Sequence, residues 1–267
     1  MSVRALIVDL DNTLVPEMAN YEQAFDDGCR AIADELRLDV AELRRSVFTA
    51  SHGLWATSRW SAYCLRLGIG SPTSLLTDLP GGPPDLAELR TWMPEYRRRS
   101  WERGLAAQGV DVAFREELGM RLDAAFRARQ RQFCPPYSDA LPAVELAGRD
   151  YRLALTTNGP SDVQRAKLRA SGLDRFFPVV VVSADIGTGK PDPEIFRIAL
   201  DQLGVTREEA VVVGDSHERD IVGAFSAGIA SILVDRSRTN TDGPPRATAT
   251  IASLADLASA VATLSPA

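Results

Sequence analysis

Five short apolar runs constrain the fold of this 267-residue chain more than any other feature: residues 3–9, "YRLALTT" (151–157), "FPVVVVS" (177–183), "AVVVGD" (210–215) and "ASILVD" (230–235). Each is nearly continuously apolar and rich in β-branched residues, and helix-length segments separate the last four. Strands buried on both faces read this way, so the runs predict an α/β core built on a doubly wound parallel sheet. Cap signals mark the helices between them. Ser161 and Asp162 open one that Gly172 closes, and Pro191 to Pro193 open another that Gly204 closes. The tail "TATIASLADLASAVATL" reads as a last short strand and helix.

Residues 17 to about 134 have another texture, dominated by Ala, Leu, Arg and Glu at helical spacing, as in "EQAFDDGCRAIADELRL" and "FREELGMRLDAAFRARQRQF". The loop "GSPTSLLTDLPGGPPD" (70–85) splits this stretch, and Cys134-Pro135-Pro136 closes it. The expected organisation is an α/β core from residues 1–16 and 137–267, with a mostly α-helical cap, 17–136, inserted after the first strand.

Against 36 acidic residues stand 30 basic ones, a net charge of −6, which argues against nucleic acid or an anionic membrane as the main partner. No apolar run has the length of a membrane span. Cys29, Cys64 and Cys134 are odd in number and have no CxxC spacing, and there are only two histidines. They read as free thiols in a reducing compartment, with no zinc site. The start of the sequence shows no leader pattern, so a cytoplasmic protein is expected. Nothing in the sequence separates a monomer from a homodimer.

In an open parallel sheet, ligands collect at the carboxyl ends of the strands. The first strand ends in Asp9 and Asp11, the second in Thr157-Asn158-Gly159 and the fourth in Gly214-Asp215, with Asp220 shortly after; Lys190 follows the third in "GTGKPDPEIF". Two carboxylates placed so close raise each other's proton affinity unless a cation offsets them. Hard oxygen ligands from few carboxylates favour Mg²⁺, which would admit an anionic phosphoryl group. One carboxylate could then attack phosphorus while its neighbour moves the proton, with Thr157, the Asn158 amide and Lys190 holding the other phosphate oxygens, and Gly159 leaving room for close approach.

Other patterns are weaker. "GTGKP" lacks the first glycine of a phosphate-binding loop, at Ala184, and has Pro191 where Ser or Thr is needed. "GDSHE" has Glu218 where a nucleophile elbow needs glycine, which leaves Ser216 and His217 without a catalytic role. The chain has two lysines; Lys190 suits a point charge among carboxylates, while Lys167, in "QRAKLRASGL", reads as part of a solvated helix face. Trp55, Arg59, Trp60, Trp92, Trp101 and Arg97 to Arg99 read either as a substrate lining, with Arg59 the favoured contact, or as cap core and solvated surface.

"DLDNT", "LALTTNG", Lys190 in "GKPDPEIF" and "VVVGDSHERD" resemble, in order, the four motifs of the haloacid dehalogenase superfamily. The resemblance implies a Rossmann-like core with a cap of the superfamily's first class. It makes Asp9 the nucleophile and a Mg²⁺ ligand, Asp11 the acid/base and a ligand through its carbonyl, Asp215 a direct ligand and Asp220 an outer-shell or alternative one. An aspartate at position 11 points to phosphate esters rather than dehalogenation, and the absence of lysine from the insertion disfavours phosphonate hydrolysis. The text around Asn158 is most similar to the subgroup of sugar-acid phosphatases such as N-acylneuraminate-9-phosphatase and of 5′-nucleotidases. The implied activity is Mg²⁺-dependent hydrolysis of a small phosphorylated metabolite. A phosphomutase of the β-phosphoglucomutase type and a non-catalytic phospholigand binder are the alternatives.

Overall fold

The computed structural model describes residues 2–84, 86–238 and 243–264. Met1, Asp85 at the end of the 70–85 loop, and the last three residues of the 137–267 region lie outside it. In chain order the main elements are β1 (Ala5–Val8), α1 (Glu17–Glu35), α2 (Val40–Ala56), α3 (Ser61–Arg66), α4 (Thr73–Leu76), α5 (Leu86–Ala107), α6 (Val112–Gln132), α7 (Ala140–Asp150), β2 (Arg152–Thr157), α8 (Ser161–Ala170), β3 (Val179–Val182), α9 (Ser183–Ile186), α10 (Glu194–Leu203), β4 (Ala210–Gly214), α11 (Val222–Ala227), β5 (Ala230–Val234), β6 (Ala249–Ile251) and α12 (Leu257–Leu264). They form two compact units. One holds residues 1–16, 135–158 and 171–267; the other holds 17–134 and 159–170.

The first unit is an α/β layer structure around a six-stranded parallel sheet of order β3-β2-β1-β4-β5-β6. Its central strand β1 buries both faces, as the unbroken apolar run requires. Ala5 and Ile7 join Ile195, Phe196, Ala199 and Val212 in one core, while Leu6 turns the other way, toward Ala143, Ala147 and Val261. Helix α10 supplies its half of that core at positions 195, 196, 199, 200 and 203, the stripe of an amphipathic helix, and ends at Gly204 with a left-handed φ of 64°. Register aligns the strand ends: Val8 pairs with both Leu155 and Val213, so Asp9 leaves β1 level with the ends of its neighbours. The chain turns to opposite edges of the sheet from β1, the switch point where such sheets bind ligands.

The second unit is helical. Phe25 stacks on Trp101 at 5.4 Å and meets Phe48 and Phe126 at 5.5 and 5.2 Å, an aromatic core shared by α1, α2, α5 and α6. Gly104 lets α5 press onto α2, since a Cβ there would lie 2.4 Å from Val47. Trp101 is thus core, donating its indole N–H to Asp123 at 2.8 Å.

Within the 70–85 loop, residues 72–77 are buried and include the single turn α4. Its hydroxyls are matched to helix partners, Ser74 to Tyr96 at 2.6 Å and Thr77 to Asp162 at 2.6 Å, which makes burial of a loop tolerable. Lys167 is not on a solvated face but 1% exposed. Its Nζ donates to Glu17 at 2.7 Å and stands 4.8 Å from the centre of the Tyr21 ring. A charge of opposite sign, delivered from 150 residues away, compensates the buried ammonium.

Candidate active site

The site is assembled in the α/β unit from the loop after β1, the end of β2, the segment before α10 and the turn after β4. The first loop folds back sharply: the amides of Leu14 and Val15 donate to the Leu10 carbonyl, and the Asn12 amide to that of Val15. Asn12 has a φ of 61°, which asparagine tolerates better than most residues. The fold-back buries Thr13 completely and points its hydroxyl at two carboxylates, Asp9 Oδ2 at 2.9 Å and Asp215 Oδ1 at 3.2 Å. Thr13 was not singled out by the sequence reading, although it stands four residues after Asp9, at the last position of "DLDNT".

Lys190 meets the other oxygen of Asp9. Its ammonium lies 2.5 Å from Asp9 Oδ1, 2.7 Å from Asp220 Oδ1 and 3.1 Å from the Thr156 carbonyl, so its three donors are all used. Asn158 holds the backbone of Lys190 with two bonds of 2.8 Å, one to its carbonyl and one from its amide. Only glycine fits at 189, where a Cβ would come within 2.6 Å of Asn158 Oδ1.

After β4 the chain makes one wide π turn, His217–Ile221, a geometry frequent at functional sites. It swings Asp220 back so that Oδ2 accepts the Ser216 amide at 3.1 Å while Oδ1 meets Lys190. Gly214 is required beneath it, because a Cβ there would overlap Asp220 at 2.2 Å. His217 binds the carbonyls of Gly243 and Pro245 through Nε2, at 3.0 and 2.9 Å.

The cluster is electrostatically tense. Burial pushes the Asp9 carboxyl up to about 6, against the opposing pull of Lys190. Burial, with Asp9 and Asp220 nearby, pushes Asp215 up to about 7. Burial alone would lower Lys190, but the charges of Asp220 and Asp9 outweigh it and hold the ammonium above the ordinary lysine range.

Ligand oxygens from Asp9, Asp215 and Asp220 all lie within 4.8 Å of one another. Three carboxylates against one ammonium leave excess negative charge, and an all-oxygen donor set with that spacing fits Mg²⁺. Asp220 has both oxygens engaged, by Lys190 and Ser216, whereas Asp9 and Asp215 share the Thr13 hydroxyl. Asp11 is half-buried at the start of the fold-back, bridged to Val15, and Thr157 is buried at the end of β2. Gly159, at φ 141°, packs in the helical unit against Gln164. There too Arg59 is exposed, paired with Glu88 at 2.7 Å and lying over Trp60.

Residues 3–228 match the family model of haloacid dehalogenase-like hydrolases. The phosphoserine phosphatase of Thermus thermophilus is 32% identical over 234 residues, 88% of this chain and 89% of that protein. Human N-acylneuraminate-9-phosphatase is 37% identical over 148 residues, 55% of this chain and 59% of its own. Among solved structures, the HAD hydrolase YfnB of Bacillus subtilis, bound to magnesium, superposes with a TM-score of 0.62 at 20% identity, over 98% of this chain and 99% of that one. The chain belongs to the haloacid dehalogenase-like hydrolase family, as a phosphoric monoester hydrolase.

Proposed function

We propose that the protein is a Mg²⁺-dependent phosphatase that hydrolyses a small phosphorylated metabolite through an aspartyl phosphate on Asp9. The observation that carries this reading is the Asp9 carboxylate itself, held on one oxygen by Lys190 and on the other by Thr13, beside Asp215. A carboxylate fixed on both oxygens presents a defined lone pair to phosphorus, which is what an in-line nucleophile needs.

Asp9, Asp215 and the backbone carbonyl of Asp11 would hold Mg²⁺, which when bound neutralises the cluster and the incoming phosphate. Asp9 forms the bond to phosphorus as the bond to the leaving oxygen breaks. Asp11 donates the proton to that oxygen and later takes one from the water that cleaves the aspartyl phosphate. Thr157, the Asn158 amide and Lys190 hold the non-reacting oxygens. Asp220 orients Lys190, since its carboxylate is already committed to that ammonium and to the Ser216 amide. Residues 17–136 serve as the cap that reads the leaving group, with Gly159 and Arg59 in substrate contact. The names of the relatives, which include phosphatases of phosphoserine and of a sugar-acid phosphate, support a small phosphorylated acid or sugar as substrate. The buried thiols of Cys29, Cys64 and Cys134 support a cytoplasmic setting, and among the described residues no helix is long and apolar enough to cross a membrane.

Phosphate release from a panel of sugar phosphates, nucleotides and phosphorylated acids, with and without Mg²⁺, tests the reading beside Asp9→Asn. Mg²⁺-dependent release that the variant abolishes supports it. Interconversion of phosphate isomers without net release would replace it with a phosphomutase, and tight phospholigand binding without turnover with a binding protein.

A further inference from the structure

Beyond the four motifs, the loop that carries Asp9 and Asp11 is gripped from its outer side by an arginine that no motif includes. Arg236 follows β5, and its Nη2 donates to the carbonyl of Thr13 at 2.8 Å. The same guanidinium forms a two-pronged pair with Asp139, Nη1 to Oδ2 at 2.9 Å and Nη2 to Oδ1 at 3.0 Å, and lies 3.8 Å from the centre of the Tyr137 ring. Tyr137 donates its own amide to the next carbonyl of the loop, that of Leu14, at 2.9 Å. Two consecutive peptide groups of the fold-back are therefore fixed from outside, while the Thr13 hydroxyl faces inward to Asp9 and Asp215.

Asp139 shows that this grip is built. It stands at the N-cap position of α7, where an aspartate would ordinarily accept an amide of its own helix, yet it makes no such bond. Its carboxylate instead takes Arg236 together with the Ser253 hydroxyl at 2.7 Å and the Leu254 amide at 2.9 Å. The carboxylate is thereby locked in the plane that orients the guanidinium. A planar fork can make the two-pronged pair, the carbonyl bond and the ring contact at once, which a lysine cannot.

We infer that Arg236 is a positioning residue for the reaction proposed above: by holding the Thr13 carbonyl against Asp139 and Tyr137, it fixes the Thr13 hydroxyl and so sets the orientation of Asp9 and Asp215 toward Mg²⁺ and phosphorus. The inference rests on that functional reading for its kinetic consequence, but not for the geometry of the clamp.

The test uses the full chain with Arg236→Met, Arg236→Lys and Asp139→Asn. Three quantities are read: kcat and KM for phosphate release, Mg²⁺ affinity by calorimetry with Mg²⁺ alone, and amide exchange of residues 10–15 in the metal-free protein. Arg236→Met is expected to lower kcat about 10- to 100-fold and to weaken Mg²⁺ binding by about tenfold, the size of effect that outer-shell partners of metal ligands produce. KM stays within about twofold, because the clamp does not touch substrate, and exchange accelerates in residues 10–15 ahead of the rest of the sheet. Arg236→Lys does not restore kcat, and Asp139→Asn shifts all three readouts in the same direction by less. A folded Arg236→Met with wild-type kcat and Mg²⁺ affinity overturns the inference, as does exchange that rises evenly over the whole unit. Should Arg236→Met not fold, the other two variants decide by the same criteria. Absence of turnover in the wild type would sink the phosphatase reading instead, with Mg²⁺ affinity and exchange still deciding the clamp.

Discussion

The ammonium of Lys190 lies 2.5 Å from a carboxylate oxygen of Asp9, and both groups are buried. The pair places a fixed positive charge against the group proposed to attack phosphorus, in surroundings where water cannot screen it. Removing it should therefore cost stability as well as activity. Lys190→Met leaves Asp9 and Asp220 without their shared cation, and a broken buried pair costs about 3–5 kcal/mol. Urea unfolding of the metal-free variant at pH 8 should show this loss, and a smaller one at pH 5, where Asp9 takes up a proton.

Proton uptake also sets how Mg²⁺ stabilises the protein. The folded-state values of Asp9 and Asp215 are raised to about 6 and about 7, above the ordinary carboxylate value of 3.8. Between pH 4 and 7 the folded, metal-free state therefore holds more protons at these sites than the unfolded chain. Their contribution to stability is full below pH 4 and is lost as pH rises through 6 and 7. Mg²⁺ binds the ionised forms, so the rise in Tm on adding Mg²⁺ over EDTA should be small at pH 5 and largest above pH 7. A rise independent of pH would show that these carboxylates do not bind the ion.

Thr13→Val keeps the shape of the side chain but removes a donor that reaches both Asp9 and Asp215. Phosphate release should fall on the order of 10- to 100-fold in kcat with little change in KM, as for other partners that orient metal ligands. Thr13→Ser, which retains the hydroxyl, should recover most of it. Steady-state kinetics on the best panel substrate would check both.

The ion pair between Lys167 and Glu17 should respond asymmetrically. Glu17→Ala removes the carboxylate that meets the buried Lys167 ammonium at 2.7 Å and should destabilise the protein by about 3 kcal/mol. Lys167→Met removes the charge that needed a partner, fills much of the same volume and leaves a Glu17 that is 28% exposed; its cost should be below about 1.5 kcal/mol. Chemical denaturation of the two variants would decide, and equal losses would contradict this account.

The meeting of Asp9, Lys190, Asp215 and Asp220 was legible in the sequence because Asp9 and Asp215 come directly after buried strands that their apolar runs reveal, and Lys190 and Asp220 lie a short way beyond such strands. Parallel strands in one sheet must end on one rim, so local text implied a three-dimensional gathering. The aromatic residues of the helical unit were ambiguous for the opposite reason: periodicity gives a helix its apolar face but not which partner that face meets.

What the sequence by itself determined was therefore the sheet, its helical insertion and the chemical groups at the strand ends, all of which rest on period and short-range spacing. Tertiary structure alone decided how those groups are held: Lys167 against Glu17 across 150 residues, Arg236 against Asp139 across 97, and Thr13 between Asp9 and Asp215. Such pairings depend on how elements far apart in sequence pack against one another. Hydrogen bonds require that packing to be right within a few tenths of an ångström, and no local pattern encodes it.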